Sequence, residues 1–151
     1  MRRVAITGIG IVSSIGNNAQ EVAASLAEGR SGIRAEADQI EKGFRSQVAG
    51  RPTLDIEKTV DKRVRRFMGA GAAWNYVAME QAIADSGLSP DEVSHPMTGI
   101  IMGSGGPSTH ALITAADTTR NTSPKRVGPF AVPKCMSSTN SATLATPFAI
   151  K

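Results

Sequence analysis

The chain has 151 residues, of which 40% are hydrophobic and 20% are charged, and its formal net charge is +4. These values are typical of a globular domain that can bury a core, and they exclude a low-complexity or disordered chain. No apolar stretch approaches the roughly 20 residues of a membrane-spanning helix. Thr7, Gly8 and Gly10 interrupt the apolar start that a signal peptide would need, so we expect a cytoplasmic protein.

The chain opens with a predicted strand from Arg3 to Ile6 and a glycine turn. Gly8 and Gly10 match the start of a dinucleotide-binding fingerprint, which then requires a third glycine at the start of a helix. Ser13 occupies that third position, and the next helix is predicted to begin only near residue 19. A tight turn after a strand is therefore the better interpretation. A dinucleotide-dependent oxidoreductase remains an alternative function.

A helix is predicted from about residue 19 onward. Asn18 is a good amino-terminal cap, and Glu21 stands three residues later, as a capping box requires. Val22 and Leu26 are expected to form its buried stripe. Gly29 is expected to end it, because glycine adopts the left-handed conformation without a side-chain penalty. Residues 34–60 are polar and irregular, with one possible strand at 44–49.

The clearest predicted element is a long helix from Lys62 to Ser86, ended by Gly87. Apolar or small residues recur in it at helical spacing, namely Val64, Phe67, Met68, Gly71, Ala78, Ala82 and Ile83. The small residues at 69–73 favour close approach by another element. Packing must then offset the cost of glycine in a helix, about 1 kcal/mol relative to alanine.

The second half of the chain alternates helices with one strand. Ser89, Pro90 and Glu92 form a helix-capping signal. Residues 98–102 are predicted to form a buried strand that runs into the glycine turn 103–107, where another group is expected to approach the backbone closely. Helices are predicted at 109–119 and 137–145. This order indicates an α/β architecture, although the predicted strands are too few for a complete sheet.

Cysteine and histidine are scarce, which limits metal and redox chemistry. Cys135 is the single cysteine, so the chain forms no intrachain disulfide. His95 and His110 lie far apart and have no recognisable ligand spacing, and we expect no metal site. Cys135 lies in an apolar stretch, and we interpret it as a packed residue and not as a nucleophile.

The basic residues fall into two groups. Five lie at Lys58, Lys62, Arg63, Arg65 and Arg66, and three more at Lys125, Arg126 and Lys134. Charge alone is compatible with a solvated helix face or with an acidic partner such as a nucleic acid, a membrane surface or an acidic protein. A nucleic-acid-binding module is a further alternative, but few aromatic residues accompany the basic ones.

Several blocks together resemble the bacterial 3-oxoacyl-[acyl-carrier-protein] synthases of type I. They are MRRVAITGIGIVSSIGNNAQEV, KRVRRFM, AMEQAIADSGLSP, IIMGSGG, VGPFAVPKCMSS and ATPFAIK. The blocks span nearly the whole chain in the family's order but cover only about the first third of a family member. The resemblance therefore implies that residues 1–151 form an amino-terminal half-domain that is incomplete at its carboxyl-terminal end.

The resemblance implies a thiolase-like α/β fold with layered α-β-α-β-α architecture, of which this chain is most of the first half, and a homodimer. The implied reaction is the decarboxylating Claisen condensation of an acyl thioester with malonyl-acyl carrier protein in fatty acid elongation. It needs no metal and no redox cofactor. None of His95, His110 and Cys135 matches a catalytic residue of the family, so this chain alone is expected to be inactive.

The resemblance also implies roles for particular residues. Basic residues that would bind the acidic acyl carrier protein are Lys62, Arg63, Arg66 and Lys125, which favours an acidic protein over nucleic acid or membrane as the partner. Thr122 replaces a further arginine of the family, and Arg120 or Arg126 is the candidate substitute. Gly105 and Met136 match positions that line the acyl pocket.

Overall fold

The structure is a computed structural model that describes residues 3–150. Its α-helices, numbered in chain order, are α1 Ala19–Ala27, α2 Ala37–Glu41, α3 Ile56–Thr59, α4 Lys62–Arg65, α5 Ala70–Ser86, α6 Pro90–Val93, α7 Thr109–Asn121, α8 Ala131–Lys134 and α9 Thr139–Ala145. A 3₁₀ turn covers Pro124–Arg126. The strands β1 Ile33–Ala35 and β2 Val48–Gly50 pair antiparallel, with Ile33 opposite Gly50. Among the described residues, no helix is both long and apolar enough to cross a membrane.

The hydrophobic core is built around the amino-terminal half of α5. Its buried members are Val60, Met68, Ala72, Ala73 and Val77. Helix α9 packs against α5 and contributes Leu144, which has no exposed surface. The ring of Tyr76 on α5 stacks on that of Phe148, which follows α9, at 5.3 Å between centroids.

The helix-end signals of the sequence are confirmed, except that the Glu21 carboxylate accepts from the Asn17 N–H and not from the Asn18 N–H of a capping box. The Asn18 side chain accepts a hydrogen bond from the Glu21 backbone N–H at 2.9 Å and begins α1. Gly29 and Gly87 follow α1 and α5 with φ of 64° and 69°, the left-handed conformation expected of a stop. Ser89 begins α6 with a complete capping box. Helix α7 begins at its predicted residue and ends two residues later than predicted. Helix α9 begins two residues later than predicted and ends at its predicted residue.

The predicted buried stripe of α1 is wrong. Leu26 is 69% exposed and Val22 is only half-buried, whereas Ser25 is 4% exposed. The Ser25 hydroxyl donates to the Ile15 carbonyl oxygen at 2.6 Å, which satisfies its buried polar group. Helix α1 therefore packs on the loop before it through a polar contact and not on the apolar core.

The predicted long helix is two helices, because the chain leaves the helical conformation between Arg65 and Ala70. Gly69 is extended, with φ −75° and ψ 171°, and caps α5. A Cβ atom at Gly69 would lie 2.7 Å from the Cβ of Ser108, so glycine is needed for this close contact. The small-residue run thus does pack closely, but Gly71 is exposed and the buried positions are Ala72 and Ala73.

Two predicted strands are not formed among the described residues. Val4, in the segment 3–6, is 94% exposed, and Ile101, in the segment 98–102, is 99% exposed. A strand requires a neighbour that pairs with its backbone groups, and neither segment has one in residues 3–150. The possible strand at 44–49 is shifted to Val48–Gly50 and pairs with Ile33–Ala35, which the sequence did not predict.

The glycines after the first segment are packing positions. A Cβ at Gly8 would overlap the Ala82 carbonyl oxygen, and one at Gly10 would overlap the Ala78 carbonyl oxygen. Side chains of α5 bind the same segment, since Asp85 accepts from the Ile9 N–H at 2.9 Å. The glycine turn is thus occupied by a helix of the chain itself, which argues against a dinucleotide at this position.

Candidate functional site

Helix α4 presents the first group of basic residues. The Asp61 side chain accepts from the Arg63 backbone N–H at 2.7 Å and so begins the helix directly after the core residue Val60. Lys62 and Arg63 are both exposed in its first turn. The Asp61 carboxylate is used as a backbone cap, and it leaves the two neighbouring cations available to a partner.

Ion pairs divide the basic residues into two sets. Lys58 pairs with Asp55 at 3.0 Å, and Arg65 pairs with Glu57 at 3.0 Å. The hydrogen bond from the Lys58 side chain holds the pKa of the Asp55 carboxyl below its ordinary value. In residues 3–150, no carboxylate lies within 4.0 Å of the predicted carrier-binding cations, which are Lys62, Arg63, Arg66 and Lys125.

An aromatic pair holds the Arg66 side chain. The rings of Phe67 and Phe130 meet edge to face, with centroids 4.9 Å apart. The Arg66 guanidinium carbon lies 4.7 Å from the Phe67 centroid and 5.5 Å from the Phe130 centroid, within the range of a cation–π contact. Phe130 follows the 3₁₀ turn that carries Lys125, so this contact brings the two basic groups together. The sequence offered no signal for this pair, because its members are far apart along the chain.

Two members of the second basic group, Lys125 and Arg126, lie on the 3₁₀ turn that follows α7, and the third, Lys134, lies at the end of α8. The Ser123 hydroxyl accepts from the Lys125 backbone N–H at 3.2 Å, and Lys125 and Arg126 are both exposed. Thr122 is exposed at the end of α7. Of the two candidate substitutes for the family's arginine, Arg120 pairs with Asp117 at 4.0 Å. Arg126 has no carboxylate within that distance in residues 3–150 and is the better candidate.

The predicted acyl-pocket residues occupy neighbouring but different surroundings. Met136 lines a cavity of about 230 Å³ together with Ser104 and Gly106. Gly105 is exposed and is not among its lining residues. A Cβ at Gly103, Gly105 or Gly106 would meet no atom within 4 Å, so the expected close approach to this turn is not present among the described residues.

Cys135 does not have the surroundings of an activated thiol. It is half-buried and caps the carboxyl-terminal end of α8, where its N–H donates to the Ala131 carbonyl oxygen at 3.1 Å. A helix stabilises a thiolate at its amino-terminal end, the opposite end from this one. Residues 3–150 contain no group of three or more histidine, cysteine, aspartate or glutamate side chains able to hold a metal ion.

Comparison with known proteins gives a consistent result. The model of the beta-ketoacyl synthase N-terminal domain matches residues 1–151. The chain is 47% identical over 152 residues to 3-oxoacyl-[acyl-carrier-protein] synthase 1 of Haemophilus influenzae. The aligned region is 100% of this chain and 37% of that protein. It is 50% identical over 152 residues to the enzyme of the same name from Escherichia coli K12, covering 99% of this chain and 37% of the relative. The chain therefore spans about 37% of the length of these relatives.

The fold is that of the same family. The fold of this chain is similar to the crystal structure of a beta-ketoacyl synthase from Burkholderia phymatum STM815, with a TM-score of 0.82 and 28% sequence identity. The superposition covers 100% of this chain and 38% of the synthase chain. The predicted thiolase-like α/β fold is thereby confirmed, even though two of its expected strands are unpaired in residues 3–150. The chain belongs to the beta-ketoacyl synthase family and corresponds to the family's N-terminal domain.

Proposed function

We propose that this chain is the amino-terminal part of a 3-oxoacyl-[acyl-carrier-protein] synthase that elongates fatty acids. The reaction is the decarboxylating Claisen condensation of an acyl thioester with malonyl-acyl carrier protein. The observation that carries the proposal is the identity of 47–50% to type 1 synthases along the whole chain. By the family resemblance, residues 1–151 hold none of the catalytic residues, so we expect no condensation from these residues alone.

The proposed role of this part of the protein is to bind the acyl carrier protein. An acidic carrier would pair with Lys62, Arg63, Arg66 and Lys125. Their exposure and their lack of carboxylate partners in residues 3–150 support this role, because an already neutralised cation offers little to an acidic protein. The aromatic contacts of Arg66 also support it, since a side chain that is already held loses less conformational entropy on binding.

Three further parts of the proposal concern the acyl chain, assembly and location. Gly105 and Met136 would line the acyl pocket, and the cavity beside Met136 supports the second assignment more directly than the first. The whole synthase would act as a cytoplasmic homodimer. The reaction would need no metal and no redox cofactor, and the phosphopantetheine arm would arrive with the carrier-bound substrate.

The first experiment combines intact mass with a condensation assay using acyl- and malonyl-acyl carrier protein. A protein of 15.8 kDa without condensation activity, and a larger protein containing this chain with activity, are the expected results. Condensation by a 15.8 kDa protein would contradict the assignment of catalysis to residues outside this chain. It would make Cys135 the nucleophile to test first.

The second experiment measures binding of acyl carrier protein to charge-reversal variants. Arg66→Glu is expected to weaken binding by about tenfold or more, because an interfacial charge would be replaced by its opposite. Lys42→Glu is the matched control, since it makes the same charge change at an exposed position at the end of α2. Equal losses in the two variants would indicate a non-specific charge effect. Strongly salt-dependent binding of a DNA duplex, in place of carrier protein, would favour the nucleic-acid alternative.

A further inference from the structure

Arg66 differs from the other predicted carrier-binding cations in the way its side chain is held. Both cation–π contacts in residues 3–150 belong to it, at 4.7 Å from the Phe67 ring and 5.5 Å from the Phe130 ring. Phe67 is its neighbour in the sequence, so that contact is local. Phe130 is remote in sequence, and its contact with the guanidinium exists only in the folded chain.

Phe130 is not a member of the hydrophobic core. Its side chain is 37% exposed, and it lies outside the buried cluster around α5. A ring that keeps this much surface in water gains only part of the free energy of apolar burial. The ring meets Phe67 edge to face and lies beside the Arg66 guanidinium. Core packing alone therefore does not account for its position.

The backbone that carries Phe130 is held by short-range hydrogen bonds. The Ala131 N–H donates to the Gly128 carbonyl oxygen at 3.1 Å, and the Lys134 N–H donates to the Phe130 carbonyl oxygen at 3.4 Å. Pro129 fixes the φ angle of the preceding position. The Phe130 ring is therefore presented to Arg66 by a stiff segment and not by a free loop.

A ring holds an arginine without neutralising it. Arg65, the neighbouring arginine, is held by the Glu57 carboxylate at 3.0 Å, and its charge is compensated there. Arg66 has no carboxylate within 4.0 Å in the part of the chain that the structure describes. A guanidinium held over a ring face keeps the N–H donors at its edge available to the carboxylates of an acidic protein.

From these contacts we propose that Phe130 is a positioning residue for the acyl carrier protein and acts through Arg66. The ring orders the guanidinium before the carrier arrives, and Phe67 supplies the second ring. The inference rests on the proposed function, in which Arg66 binds the carrier. It adds that a residue on the segment between the 3₁₀ turn and α8 sets the affinity of a cation on α4.

The test is the condensation kinetics of the whole synthase that contains this chain, with malonyl-acyl carrier protein as the varied substrate. Phe130→Leu keeps an apolar side chain but removes the ring. It should raise KM about threefold and leave kcat unchanged, because ordering a freed arginine weakens binding by about two- to tenfold and Phe67 still contacts Arg66. Phe130→Tyr keeps a ring and should restore the wild-type KM. Phe44→Leu, the same change at a 55% exposed position after α2, is the matched control and should not change KM.

A combined variant separates positioning from direct contact with the carrier. In an Arg66→Gln background, Phe130→Leu should raise KM by less than about 1.5-fold, since the residue through which it acts is gone. An equal effect of Phe130→Leu in both backgrounds, or a wild-type KM for Phe130→Leu alone, would overturn the proposal and leave the proposed function intact. An unchanged KM for Arg66→Gln would contradict the carrier-binding role of Arg66 and the inference with it. Phe67→Leu, which removes the other ring, should act in the same direction and keeps the test valid if Phe130→Leu does not fold.

Discussion

The helices that pack around α5, here called the helical body, differ in burial and in backbone pairing from the two extended segments, 3–6 and 98–102. Around α5, the side chains of Ala73 and Leu144 are almost completely buried and helices pack on one another. The segments 3–6 and 98–102 are unpaired in residues 3–150, and residues 3–6 are exposed, whereas residues 98–102 alternate between half-buried and exposed positions. Apolar sequence alone therefore does not decide burial in this chain.

The difference lies in where the stabilising partner is found. A helix satisfies its backbone groups within itself, and its caps are a few residues away, so α1 and α6 form from local signals. A strand satisfies its backbone groups only on a neighbouring strand. The segments 3–6 and 98–102 have no such neighbour among the described residues, whereas the short β1 and β2 do.

The largest expected effect is on the free energy of unfolding, when a buried side chain of the helical body and an exposed one of the second extended segment are each replaced by alanine. Leu144→Ala removes a fully buried side chain between α9 and α5 and should lower the free energy of unfolding by about 2–5 kcal/mol, because it leaves a cavity. Ile101→Ala removes a 99% exposed side chain and should change it by less than about 0.5 kcal/mol. Urea unfolding curves of the two variants measure both effects. A cost at Ile101 as large as that at Leu144 would show that the 98–102 segment is packed in solution.

The next effect tests residues 8–11, which follow the first extended segment and pack closely against α5. Gly10→Ala would push a Cβ into the Ala78 carbonyl oxygen and should cost about 1–3 kcal/mol, as other overpacking substitutions do. Gly103→Ala, in the open turn after the second segment, meets no atom within 4 Å and should be nearly neutral. Neither glycine has a positive φ, so the comparison reports space and not backbone strain.

The same urea curves measure both glycine variants. A neutral Gly10→Ala would mean that residues 8–11 do not lie against α5 in solution. The hydrogen bonds from Ile9 to Asp85 and from Ile11 to Gln81 would then also be absent.

The helices were predictable from the sequence to the extent that their signals are local. Asn18 and Ser89 fixed two helix starts, and Gly29 and Gly87 fixed two ends, because each acts within one turn of its own position. The break before Gly69 was missed, and the close contact made there is with Ser108, which is remote in sequence. Helical periodicity continues through that break, so the apolar pattern gives no warning of it.

The residue types of the candidate site were predictable from the sequence, but their spatial arrangement was not. The basic residues were found from charge clustering and from the family resemblance. Their arrangement depends on Phe67 and Phe130, whose contact joins the two groups around Arg66. A cavity of about 610 Å³, lined by Arg65 and Arg126, is likewise formed by elements that meet only after folding. Sequence reasoning identified the residue types, and the tertiary contacts determine which of them act together.

The smallest expected effect concerns α6, which lies at the boundary between the helical body and the second extended segment. The Glu92 carboxylate accepts from the Ser89 N–H and the Ser89 hydroxyl, each at 2.8 Å. The backbone hydrogen bond, followed by the hydroxyl bond, lowers the pKa of Glu92 below its ordinary value of 4.5. Because the folded pKa is the lower one, this stabilisation is present above pH 4.5 and is lost as the pH falls through the folded value.

Glu92→Gln should therefore flatten the acid limb of the stability profile, since the glutamine amide does not titrate. The measurement is the urea midpoint of each protein from about pH 7 down to about pH 3, where carboxylates of this kind become protonated. Asp91→Asn is the matched control, because it removes an exposed carboxylate from the same helix turn. The wild type and the control should lose stability in parallel on acidification, while Glu92→Gln loses less. If all three profiles are parallel, the capping box does not hold α6 in solution, and the boundary of the helical body lies at Gly87 and not at Ser89.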